Sequence, residues 1–349
     1  MDLEEYAAFY LDRLSRDVIP FWLRHSKDEK EGGYFTCLDR TGKVFDTDKF
    51  VWLQARQVWC FSMLFNQVEK KKEWLDFAIH GARFLEKHGR DADGSWYFSL
   101  TREGKPLVQP YNIFSDCFAA MAFAQLYKAT GDPAYSEIAL KTFHNILARQ
   151  ENPKGKYLKQ YPGTRPLQGF SLPMILSNLV IEIEELLSPK LVDTTIDHAV
   201  HSVMDVFYQP ELGLILENVT PDGKFSDSFE GRLLNPGHAI EGMWFMMDLA
   251  QRRGDEKLMR KAVEISLNTL EYGWDKKHGG ILYFLDVKGH PPQQLEWDQK
   301  LWWVHIETLV TLLKGHLYTR NKACLEWFQV VHEYSWKHFA DPEHGERYG

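Results

Sequence analysis

His238 and Glu241 stand three residues apart in NPGHAIEGMWF, just behind Pro236 and Gly237. On a helix that spacing puts both side chains on one face. A histidine held by a carboxylate suits general acid–base work, because its pKa can sit near neutrality. Residue types alone describe a satisfied structural histidine equally well, and that plainer case is the commoner one. Four more segments mix polar residues into apolar runs. They carry Trp52, Gln54 and Arg56; Tyr111, Ser115 and Asp116; Asn178; and Lys300, Trp302, Trp303, His305 and Glu307. An arginine in an apolar helix must be ion-paired or must face a polar ligand, since burying its charge alone is costly. Both alternatives stay open for Arg56. Ser115 and Asp116 also fit helix capping, and Asn178 fits a hydrogen-bonded core amide. Adjacent tryptophans beside Lys, His and Glu suit the wall of a sugar pocket, although tryptophan is also a common core residue.

Other chemistries find no support in the sequence. It holds no Walker A segment, no GxGxxG after a strand, no HExxH, no EF-hand loop and no serine nucleophile elbow. Cys37, Cys60, Cys117 and Cys324 are widely spaced and form no CxxC pair, which reads as reduced thiols and no metal site. A formal net charge of -8 argues against a nucleic-acid partner. The most apolar stretch, 171–187, is broken by Glu182, Glu184 and Glu185, so no membrane span is expected. The acidic N-terminus lacks a signal peptide's basic region, and a cytoplasmic protein is expected.

These residues need elements to position them, and an internal repeat supplies the pattern. Four segments, GGYFTCLDRTGKV, GSWYFSLTREGKP, GLILENVTPDGKF and GGILYFLDVKGHP, read as β-hairpins around a glycine turn. The gap between the second and third is about twice the others, so a degenerate copy is expected from Gly155. Between them, helical periodicity predicts helices over 3–25, 49–68, 72–88, 112–131, 133–149, 170–187, 190–208, 237–254, 256–274, 299–319 and 322–339. One helix of each pair is apolar with buried-type polar residues and the other is amphipathic, as two concentric rings require. The expected fold is all-α, an (α/α)6 barrel with hairpins at one end, in a single domain over 1–349. The last inner helix of such a barrel has no counterpart in the sequence.

The stretches GGYFTCLDRTGKV, KFVWLQARQVW, IFSDCFAAMA, RLLNPGHAIEGMWF, QLEWDQKLWWVHIETL and FADPEHGERYG make the chain similar to the N-acylglucosamine 2-epimerase family over essentially its whole length. Cellobiose 2-epimerases and mannose isomerases are expected as more distant relatives. The resemblance implies an isomerase that interconverts N-acetyl-D-glucosamine and N-acetyl-D-mannosamine. It gives His238 the place of one of two catalytic histidines and Arg56 a place near the reacting end of the sugar. Glu241 and Glu307 become pocket carboxylates, and Lys300, Trp302, Trp303 and His305 match the family's sugar-pocket segment. It further implies no cofactor for the chemistry, ATP as an activator, and a homodimer.

The family pattern reads GEWFGY where this chain reads GERYG, and places its second histidine beyond that point. The chain made as written is therefore expected to be nearly inactive, with His305 as the fallback proton donor. Two other readings stay open: a protein-binding module, as the name renin-binding protein given to a mammalian member suggests, and a glycoside hydrolase working through paired carboxylates.

Overall fold

Each helix expected from the sequence is present in the computed structural model, which describes residues 3–157, 161 and 163–347. The chain forms two compact units: Met1–Gln160 with Glu182–Ser188 and Asp341–Arg347, and Tyr161–Ile181 with Pro189–Ala340 and Tyr348–Gly349.

In the first unit, α1 (Leu3–Arg13) runs through a π-helical turn into α2 (Ile19–His25). Strands β1 (Cys37–Leu38), β2 (Val44–Asp46) and β3 (Lys49–Phe50) lead to α3 (Val51–Met63) and α4 (Lys72–His88). Strands β4 (Ser99–Leu100) and β5 (Pro106–Val108) lead to α5 (Phe114–Thr130) and α6 (Pro133–Arg149). Helix α3 packs on α5, and each packs on the helix that follows it. Helix α5 is covered nearly all round from Ser115 to Leu126. Helix α6 buries a single stripe of Tyr135, Ile138, Ala139, Thr142, Phe143 and Ile146, the spacing of one apolar face. Asp132 starts α6 as the sequence suggests, its carboxylate accepting the Ala134 N–H at 3.0 Å.

The second unit repeats this plan with β6 (Gln168–Gly169), α7 (Ser171–Glu182), α8 (Pro189–His201), β7 (Tyr208–Gln209), β8 (Leu214–Ile215), β9 (Asn218–Val219) and β10 (Leu233–Leu234). It continues through α9 (Pro236–Arg253), α10 (Glu256–Gly273), β11 (Leu285–Asp286), α11 (Trp302–Thr319) and α12 (Lys322–His338). Helix α9 packs on α10 and α11, and α11 on α12.

All four expected glycine turns form. The amides of Gly42, Gly104, Gly223 and Gly289 donate to the carbonyls of Asp39, Thr101, Thr220 and Asp286 at 2.8–3.0 Å. Gly42 has φ 84°, and a Cβ there would lie 2.3 Å from the His25 ring, so no other residue fits. The strand partners differ from expectation for two copies. Strands β1 and β2, and β4 and β5, pair as hairpins. Strand β8 instead pairs with β7, β9 with β6, and β11 with β10. Strands of two residues have so few ladder bonds that the nearest free edge decides the partner. The degenerate copy is a 3-10 turn at Gly155–Tyr157, and residues 158–160 and 162 lie outside the described residues.

An aspartate turn precedes three of the copies and recurs near the C-terminus. Asp28, Asp91, Asp275 and Asp341 each donate their own N–H across the loop, to Gly33, Ser95, Gly280 and Glu346 at 2.8–3.1 Å. Each also accepts two following backbone N–H groups on Oδ1. A cation takes up the carboxylate of three of them: Lys49 for Asp28 at 3.0 Å, Lys300 for Asp275 at 2.6 Å and Arg40 for Asp341 at 3.0 Å. Asp28 is buried, which favours the neutral acid, but Arg102, Lys49 and the Glu31 amide outweigh that and hold its carboxyl well below the usual range.

Helix α11 ends on Arg320 at φ 59°, the left-handed conformation that a side chain disfavours. Arg320→Gly is therefore expected to stabilise the protein by about 1 kcal/mol. Differential scanning calorimetry should show Tm rising by roughly 2 °C.

Candidate active site

Helix α9 opens with Asn235, whose Oδ1 accepts the His238 N–H at 3.1 Å and sets the first helical turn. That cap holds the His238 side chain 29 % exposed, beside Glu217 from the segment between β8 and β9. His238 Nδ1 lies 3.0 Å from Glu217 Oε1. A carboxylate only accepts, so Nδ1 carries the proton and Nε2 holds the lone pair. Among the described residues Nε2 has no hydrogen-bond partner. Burial pulls the His238 pKa down, but the charge and hydrogen bond of Glu217, with the charge of Glu241, outweigh it, and the net shift is upward. The carboxylate that orients His238 is thus Glu217 and not, as the helical spacing suggests, Glu241. Glu241 acts on it through charge.

Trp303 backs the histidine, with ring centroids 5.7 Å apart, and Tyr283 meets Trp303 edge-on at 6.1 Å. Gly237 lets the helix start approach this ring: a Cβ there would lie 2.6 Å from Trp303. Glu307, one turn on from Trp303, accepts the Trp244 Nε1–H at 2.8 Å. The arrangement is an oriented imidazole with a free lone pair, flanked by carboxylates and an aromatic wall. It can remove and return a proton on a polar ligand.

The structure does not bring every sequence candidate into this group. His305 is fully buried, and both ring nitrogens are engaged. Nδ1 donates to the Leu301 carbonyl at 2.7 Å, and Nε2 accepts the Ile281 N–H at 3.0 Å. Burial, helped by the charges of Lys300 and His338 and resisted by the Leu301 bond, pushes its pKa down to about 4. Lys300 precedes α11 and pairs with Asp275, while Trp302 is exposed. Asn178 is half-buried on α7.

In the first unit, Gln54 is fully buried, bonding the Tyr34 N–H and carbonyl at 2.8 Å each. Asp116 is also fully buried and meets Arg149 at 2.5 Å, with burial lifting its pKa to about 7 against the pull of that arginine. Asn112, not Ser115 or Asp116, accepts an N–H at the start of α5, and the Ser115 hydroxyl is unpartnered among the described residues. Tyr111 packs on Phe98. Of the two alternatives for Arg56, the ion pair is not formed among the described residues. It is exposed and lies 4.5 Å over Phe118 and 5.7 Å from the Trp52 ring.

Sequence reasoning missed Glu217, which lies 21 positions before its histidine inside a hairpin-like segment. The available signal was the single ionisable residue in GLILENV, an otherwise apolar strand copy. No group of three or more His, Cys, Asp or Glu among the described residues is placed to hold a metal, and none of the described helices is long and apolar enough to cross a membrane.

The paired helices with short hairpins are those of the (α/α)6-barrel class, and the curated relatives make the chain a carbohydrate isomerase of that class. Residues 33–349 match the N-acylglucosamine 2-epimerase (GlcNAc 2-epimerase) family, and the chain belongs to that family. It is 39 % identical to the N-acylglucosamine 2-epimerase of Bos taurus, over 99 % of this chain and 84 % of that one. A cellobiose 2-epimerase of Dictyoglomus turgidum is 24 % identical over 96 % of this chain and 88 % of its own. Among solved structures, the cellobiose 2-epimerase of Bacillus thermoamylovorans superposes with a TM-score of 0.84 at 19 % identity, covering 99 % of this chain and 91 % of that one. A D-mannose isomerase gives 0.82 at 18 %, covering 98 % and 89 %.

The Glu217 contact predicts a pH signature. A raised histidine pKa leaves less neutral base at low pH, so the acidic limb of kcat/KM lies above the ordinary histidine value of about 6.5. Glu217→Gln removes the charge that raises it and offers an N–H that favours the other tautomer. The limb should move to lower pH and the plateau should fall, as read from a pH series of initial rates.

Proposed function

We propose that this chain interconverts N-acetyl-D-glucosamine and N-acetyl-D-mannosamine by removing and returning the proton on C2. The observation that carries this reading is the His238–Glu217 contact, which fixes the tautomer and leaves Nε2 as a base. The C2 proton is acidic only when C1 is a carbonyl, so the open-chain sugar is the reacting form. Nε2 takes the proton, the C–H pair becomes a C1–C2 double bond, and the carbonyl pair moves onto O1. Arg56 has the chemistry to stabilise such an oxyanion, as an exposed cation with no carboxylate of its own among the described residues. The C2 nitrogen of the substrate blocks the ketose outcome, which needs a C2 hydroxyl. Inversion requires reprotonation from the opposite face by a second group.

Trp303 supplies a stacking face for the sugar, while Glu241 and Glu307 supply acceptors for its hydroxyls. Trp52, Tyr111 and Asn178 stay in this reading as binding residues, because each keeps an exposed part of its surface. ATP as an effector rests on the resemblance to the family, and the reaction itself is redox-neutral and needs no hydrolysis. A homodimer and a cytoplasmic location rest on the resemblance to the family.

The test is incubation of the complete protein with N-acetyl-D-mannosamine in deuterated water, followed by NMR. Deuterium at C2 together with N-acetyl-D-glucosamine is expected, and His238→Ala should slow both by about 10²–10⁴-fold. Neither exchange nor product would contradict the proposal. Glycoside hydrolysis would leave the C2–H bond intact, so the same spectrum separates the two chemistries.

A further inference from the structure

Three hairpin entries are built alike. Lys27 bridges Tyr34, Arg90 bridges Trp96, and Trp274 bridges Ile281. In each case the second partner lies two residues after a glycine of positive φ, Gly32, Gly94 or Gly279. In two of the three a buried side chain from the first turn of the next covered helix serves that partner's backbone N–H. Gln54 Oε1 accepts from Tyr34 at 2.8 Å, and His305 Nε2 accepts from Ile281 at 3.0 Å. In the third, the buried Asp116 stands at the corresponding place and pairs with Arg149. The surroundings also correspond. Lys49 and Lys300, each five residues before its Gln54 or His305, pair with Asp28 and Asp275. Trp52 and Trp303, each two residues before, face away from those buried positions.

We propose that Gln54 and His305 are two copies of one latch that ties a hairpin to a helix through a backbone N–H, and that His305 is a positioning residue and not the second acid–base group. The role of the latch in the reaction rests on the epimerase reading. The repeat explains the chemistry of the position. Glutamine and histidine share an acceptor near the end of the side chain, and a glutamine amide cannot replace histidine in proton transfer. A neutral imidazole with Nδ1–H on the Leu301 carbonyl must present a lone pair at Nε2, which is what the Ile281 amide needs. Burial keeps the ring neutral. The effect reaches the site along the hairpin: Ile281 carries Tyr283, Tyr283 packs on Trp303, and Trp303 backs His238.

The experiment combines two readouts on the wild-type chain, H305A and H305Q. The first is amide hydrogen exchange at Ile281, with long-range 1H–15N NMR of the His305 ring. The second is kcat and KM for N-acetyl-D-mannosamine. In the wild type the Ile281 amide should be protected, and the ring should stay neutral between about pH 5 and 8. H305A should lose the protection and about 10²-fold in kcat, the cost of a displaced wall. H305Q, which installs the side chain found at position 54, should restore protection and about tenfold or more of the lost rate. An H305Q as slow as H305A with the Ile281 amide protected in both would show that His305 moves a proton, and would overturn the proposal. So would a wild-type ring that titrates near the ordinary histidine value. Absence of turnover in the complete wild-type protein would refute the epimerase reading alone, because the exchange and ring measurements still decide the latch.

Discussion

A strand of two residues cannot hold itself in place. It makes too few ladder bonds to offset its own ordering, and its remaining backbone groups must still find partners. That constraint runs through both units. Three of the four hairpin entries, and the segment after Asp341, are fastened by an aspartate that gathers its loop amides. Lys49, Lys300 and Arg40 lock three of those aspartates, and Gln54 and His305 reach the hairpin backbone from the helices. The helices can tolerate these buried polar groups because each is matched to a specific backbone donor or opposite charge. Ser115 and the second oxygen of Asp116 are exceptions, without partners among the described residues.

The candidate site uses the same construction for a different end. Glu217 comes from a short-strand segment and His238 from a helix start, so the contact between them exists only if both are held rigidly. Asn235 fixes one side, and the backbone bonds of Glu217 to Phe170 and Leu233 fix the other. Lys49 and Lys300, at matching places in the two units, serve the same ion pair with an aspartate. Gln54 and His305 are buried and engaged with hairpin backbone.

Helices and turns were legible in the sequence because their signals are local. Asp132, Gly131 and Pro133 mark a boundary within three residues, and the four turn glycines sit where their turns demand positive φ. Strand partners were not legible for Leu214–Ile215, Asn218–Val219 or Leu285–Asp286, because pairing of such short segments depends on what lies beside them. His238 stood out in the sequence at a helix start and Arg56 in an apolar run, and the structure orients the first and leaves the second exposed. Glu217 did not stand out, since a contact across 21 residues leaves no periodic trace. The same limit made His305 look like a ligand-binding residue: its sequence neighbours are those of a pocket, while its side chain points into the hairpin.

The central claim is that Glu217 sets the tautomer and the basicity of His238. Long-range 1H–15N NMR of the His238 ring across a pH titration tests it without reference to turnover. The account predicts a neutral form protonated on Nδ1 and a pKa above the ordinary histidine value of about 6.5. A neutral form protonated on Nε2, or a pKa below that value, would contradict it.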